Sequence, residues 1–195
     1  SESVCYPSKL AHGHIMSLIE DGIKTIFYPC IQYSRKEEVK ADNHYNCPIV
    51  ISYSEVLKNN VEELKNVKYL NPFLPIDDLK NLVKVIMERA EFKEYNFTKS
   101  EVEEAAKKAE EEYQKYKSDV RAKGDEILKY LEDNNLKAIV LAGRPYHIDP
   151  EINHGIDTLI NSLGLAVLSE DSISDKGKLK DSIREIGRAH VWTPV

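Results

Sequence analysis

The segment from Lys137 to Leu168 limits the choice of fold more than any other. Lys137 to Ala142 (Lys-Ala-Ile-Val-Leu-Ala) is a near-continuous apolar run, the pattern of a strand buried on both faces of a parallel sheet. Gly143 to His147 reads as a loop. Asp149-Pro150-Glu151 is a strong helix start, with Asp at the cap, Pro at the first position and an acid in the first turn. The helix is expected to run to about Leu163, where Gly164 stops it, and Leu165 to Leu168 reads as a second strand. A strand, a helix and a strand in this order require parallel pairing. The expected class is α/β.

Upstream, Ser8 to Glu20 has helical spacing in Leu10, His14 and Leu18, with Ile15 and Ile19 beside them. His14 is accordingly expected in the core. Lys24 to Tyr28 is a short β-rich run, and Ile31 to Asn46 a polar, irregular loop. Pro48 opens a second helix to about Lys58. Val67 to Leu70 is a candidate strand, and prolines 72 and 75 mark an extended connector. Asp77 to Glu91 is amphipathic through Leu79, Leu82, Val83 and Ile86. Thr98 and Glu101 form a capping box for a long charged helix to about Asn134.

The expected organisation is a cysteine-bearing lobe at 1–95, a connecting helix at 96–135 and the start of a second lobe at 136–185. Both lobes would be Rossmann-like with parallel sheets, and the chain a fragment truncated at both ends. Ile186 to Val191 (Ile-Gly-Arg-Ala-His-Val) is the translation of a common sequencing-adapter DNA. Residues 186–195, the lone Trp192 included, are expected to be foreign to the protein.

With 42% hydrophobic and 31% charged residues and a net charge of −6, the composition is that of a soluble protein with no cationic footprint for nucleic acid. No apolar stretch is long enough for a membrane span, and a cytoplasmic location is expected. Three cysteines, an odd number, suit reduced thiols or metal ligands better than a secreted disulfide scaffold.

Cys5, Cys30 and Cys47 are too widely spaced for a compact metal motif, but their positions are suggestive. Cys5 precedes a helix, Cys30 follows a strand, Cys47 precedes another helix, and each has a proline nearby. Such loops converge at the carboxyl edge of an α/β sheet, and three thiolates suffice for three irons of a 4Fe–4S cluster. Three ordinary buried thiols, or zinc held by cysteines with His44, stand as alternatives. A second candidate site is the Gly143–His154 loop. There Arg144 suits a phosphate or carboxylate, and Tyr146, His147, Asn153 and His154 add donors. It matches neither a Walker loop nor a dinucleotide fingerprint.

Ser1 to Ile15, Ile26 to Cys30 and Tyr45 to Val50, together with Leu141 to Gly155 and Ala166 to Ile173, resemble the uncharacterised domain of CoA-enzyme activases. That domain occurs in proteins described as activators of 2-hydroxyglutaryl-CoA dehydratase, mostly in anaerobes. It is distantly similar to the iron–sulfur subunits of 2-hydroxyacyl-CoA dehydratases. The resemblance implies a metal-binding role for Cys5, Cys30 and Cys47 as 4Fe–4S ligands and a part in low-potential electron transfer. It also implies an ATP-dependent activase domain or a dehydratase subunit as partner, and acyl-CoA as a candidate ligand for Arg144, Tyr146, His147 and His154. Nothing in the chain resembles the activase's phosphate-binding motifs, so ATP hydrolysis is not expected of it. A non-catalytic docking domain is the alternative function.

Overall fold

The computed structural model describes residues 4–37 and 41–176; residues 186–195, expected to be adapter-encoded, lie outside them. The chain is α/β and forms two compact units, the first ending at Ala106 and the second beginning at Lys107. In the first unit, α1 (Tyr6–Glu20) leads through a tight turn into β1 (Thr25–Phe27). A long loop then reaches α2 (Pro48–Asn60), followed by β2 (Lys68–Leu70) and α3 (Leu79–Glu88). α4 (Lys99–Asp133) starts in the first unit and continues into the second. There it is followed by β3 (Ala138–Leu141), α5 (Pro150–Asn153), α6 (Ile156–Ser162) and β4 (Ala166–Ser169).

β1 and β2 pair in parallel, Ile26 opposite Tyr69. The ladder continues past the strands, since Cys30 N–H donates to Pro72 O at 2.9 Å and Leu74 N–H to Cys30 O at 3.0 Å. The core beneath is built from Ile15, Ile26, Tyr53, Leu57, Val61 and Leu64. α1 buries Ser8 and Ile15, with Ala11, Met16 and Ile19 partly covered. The row Leu10, His14, Leu18 faces outward. The expectation of a core His14 is therefore corrected. Two adjacent four-residue rows were apolar, and the one carrying two isoleucines took the core because it removes more apolar area from water.

α3 lays its apolar face, centred on Val83, against Val102 and Ala106 of α4. The capping box at the head of α4 forms: Glu101 N–H donates to Thr98 Oγ1, and Glu101 Oε2 accepts from Thr98 N–H at 2.8 Å. Beyond its first turns α4 is mostly solvated and carries i,i+4 pairs such as Lys107–Glu111 and Lys129–Asp133.

In the second unit β3 and β4 are parallel, Val140 opposite Leu168. Two expectations change. The single helix foreseen from Asp149 to Leu163 is broken at His154 and Gly155, both left-handed (φ 53° and 79°). Glycine adopts that conformation without a Cβ penalty. The apolar run of β3 is only half covered, Ile139 and Val140 each keeping 39% exposure.

Candidate functional site

The cysteines belong to the first unit, and none is in a disulfide. Cys5 is the N-cap of α1 and Cys47 the N-cap of α2, each extended and followed by proline in the first turn. Neither side chain caps its helix. Cys5 Sγ lies 3.3 Å from the buried Ser8 Oγ.

The loop between Cys30 and Cys47 is polar as read from sequence, yet it is not irregular. Tyr33 and Tyr45 form an antiparallel bridge, and Ser34 N–H donates to His44 O and Asn46 N–H to Gln32 O, both at 2.9 Å. Asn46 Nδ2 then donates to Ile31 O at 3.1 Å. Because Ile31 follows Cys30 and Asn46 precedes Cys47, this stitching draws the two cysteine-bearing segments together. His44 is occupied by the loop, its Nδ1 against Ser34 O and its ring tilted on Tyr33. α1 feeds β1 through a tight turn, so its N-terminus lies at the carboxyl side of β1. Val4 and Ile49, close neighbours of Cys5 and Cys47, pack on the same core cluster. All three cysteines thus share one edge of the sheet.

They do not share one coordination group. Among the described residues no set of three or more His, Cys, Asp or Glu side chains is gathered closely enough to hold a metal ion. The donors are right in kind for a thiolate-bound cluster, and the placement does not present a formed cage.

Cys30 is sealed completely, at 0% exposure. Burial pushes its thiol up, and the Glu55 carboxylate adds to this; the Glu55 N–H, the Ser54 hydroxyl and Lys58 act in the opposite direction. Ser54 is the hub of this region. Its hydroxyl donates to Tyr28 O and meets Tyr69 Oη at 2.9 Å. Burial is also the main reason the Tyr69 phenol is pushed up to about 12. Asn71 links Lys58 and Glu55 beside it, at 3.1 and 2.6 Å.

The Gly143–His154 loop lies in the second unit, on a cavity of about 290 Å³ at the carboxyl ends of β3 and β4. Arg144 and His147 line it; Tyr146 and His154 do not. Tyr146 stands behind, accepting from Arg144 Nη1 at 3.3 Å and meeting the His147 ring edge-on. Arg144 N–H donates to His147 Nδ1 at 3.2 Å, so a neutral ring carries its proton on Nε2. His154 is exposed at the helix break.

Asn153 also lines the cavity and is 6% exposed. Its Oδ1 accepts from Gly155 N–H at 2.8 Å, a bond made by the break itself. That bond fixes the amide orientation and leaves Nδ2 buried with no partner. An orphaned buried donor costs about 1–3 kcal/mol. Sequence reasoning did not place Glu170 and Asp171 here. They line the cavity too, just past β4. The signal for them was their position after the second strand of a β-α-β unit.

A family model described as the CoA enzyme activase uncharacterised domain matches residues 1–173. Neither a curated protein nor a solved structure gives a significant match. The chain belongs to the CoA enzyme activase uncharacterised-domain family.

Proposed function

On the premise of that membership, we propose that the chain is the iron–sulfur component of a 2-hydroxyacyl-CoA dehydratase/activase system, with Cys5, Cys30 and Cys47 as cluster ligands. The observation that carries this reading is the common edge. Two helix N-termini and the end of a strand each deliver one cysteine there, with none spent on a disulfide or a cap. Helix N-termini favour thiolates over thiols, and three thiolates are the ligand count such a cluster needs when one iron is left open. The partner is an ATP-dependent activase domain or a dehydratase subunit, working in the cytoplasm on an acyl-CoA, and Arg144 and His147, backed by Tyr146, receive an anionic ligand in the second unit. No helix of the described residues is long and apolar enough to cross a membrane.

One observation favours a second reading, a docking domain without a cluster. Cys30 is sealed, and burial pushes it towards the protonated thiol, the state of a structural cysteine. Anaerobic reconstitution with iron and sulfide separates the two. A cluster-bearing chain develops broad visible absorption that a Cys5→Ala, Cys30→Ala, Cys47→Ala variant lacks. A folded chain that stays colourless supports docking, and stoichiometric zinc in that chain would assign the thiols to zinc instead.

A further inference from the structure

We propose that Ser8 is a positioning residue for Cys5, its buried hydroxyl holding the Cys5 sulfur in place as a metal ligand. Ser8 acts through Cys5, so the proposal rests on the reading of Cys5 as a cluster ligand and deepens it. Ser8 is the third residue of α1 and has 0% exposure, while Cys5 is only partly buried. A hydroxyl removed from water needs a partner. Ser8 Oγ has Cys5 Sγ, at 3.3 Å.

The helix end turns this hydroxyl, and not an amide, toward the sulfur. A capping side chain ordinarily accepts from the second or third amide of its helix. Here the second residue is Pro7, which has no N–H, and Ser8 N–H donates to Cys5 O at 3.1 Å. Cys5 Sγ caps no first-turn amide. The chemistry of the pair favours one state of the sulfur. A neutral thiol is a weak donor and a weak acceptor. A thiolate or metal-bound sulfur is anionic, and an O–H donor forms the stronger, charge-assisted bond with it. Partners that orient a metal ligand in this way support affinity by about 10–100-fold, and hydrogen bonds to cluster sulfurs help set the potential. α2 supplies the contrast: its third residue is Val50, which carries no hydroxyl to offer Cys47.

The test compares the 195-residue chain with Ser8→Ala and Ser8→Thr in two measurements. The first is the reduction potential after anaerobic reconstitution with iron and sulfide. The hydrogen bond stabilises the reduced, more negative cluster, so Ser8→Ala is expected to shift the one-electron equilibrium about tenfold towards the oxidised state, a potential lower by about 59 mV. Ser8→Thr keeps the hydroxyl and is expected to restore the parent potential. The second is cadmium titration of the metal-free chains, followed by thiolate-to-metal absorption, which reads the same bond without a cluster. Cadmium is expected to bind Ser8→Ala about tenfold more weakly than the parent. If no cluster assembles in the folded parent, the cluster reading fails and the cadmium titration still decides the role of Ser8. Ser8→Gly is measured if the alanine variant does not fold. A serine with a merely structural role would lower the melting temperature and leave both readouts unmoved. An unchanged potential in a cluster-bearing variant, equal cadmium affinities, or no cadmium binding by the folded parent would overturn the proposal.

Discussion

At Ser54 a single hydroxyl joins α2 to Tyr69 of β2 and to Tyr28, just past β1. It donates to the Tyr28 carbonyl and meets Tyr69 Oη, and Tyr69 returns a bond to Ser54 O at 3.2 Å. Ser54→Ala strands those groups away from water, and chemical denaturation is expected to show a loss of about 1–3 kcal/mol. The groups around it also set an alkaline limit. Cys30, Tyr28 and Tyr69 all have folded pKa values above their ordinary ones, each chiefly through burial. Above the ordinary thiol value of 9.0 the unfolded chain releases the Cys30 proton while the folded chain keeps it. The folded state then binds more protons, so stability falls as pH rises through that region and is fully present below it. Melting temperature measured from neutral to alkaline pH should decline, and less steeply in Cys30→Ala. The cysteines and prolines were visible in the sequence. The sealing of Cys30 was not, because it depends on Ser54 and Asn71, which are remote in the chain and unremarkable in type.

Helix starts were legible because their signals are local. Thr98 and Asp149 each bond the amides of their own first turn, whereas α3, expected from Asp77, is capped one residue later by Asp78. Thr98→Ala should lower stability by about 1 kcal/mol. Interior features are less legible, because what decides them lies across the fold. Gly13 in α1 and Gly124 in α4 look alike in sequence. A Cβ at Gly13 would meet nothing within 4 Å, whereas one at Gly124 would lie 2.0 Å from Ser172 O. Gly13→Ala is expected to gain about 1 kcal/mol of stability from helix propensity. Gly124→Ala should lose about 1–3 kcal/mol by overpacking, despite the same propensity gain. The paired thermal melts check both signs. The break at His154–Gly155 was missed for a related reason. A cap and a stop bracketed a plausible helix, and the Asn153–Gly155 bond that interrupts it is satisfied only in three dimensions.

For the whole molecule, the α/β class followed from two parallel strand pairs, each recognisable as a short β-rich run next to a helix. The family membership agrees with the two residue blocks that carried the resemblance. The sequence order also anticipated that cysteines would lie beside helix starts and a strand end. It did not reveal that the three stop short of one coordination group, since thiol separation is set by how the 31–46 loop is stitched and how deeply Cys30 sinks. A cluster therefore requires Cys30 to give up both its proton and its place against Ser54. The most direct test is iron and acid-labile sulfide per chain after anaerobic expression, beside the triple Cys→Ala variant. The account predicts about four irons and four sulfides per chain, as for a 4Fe–4S cluster, and neither in the variant. A folded parent chain with no iron would contradict it and leave a docking domain with a buried thiol.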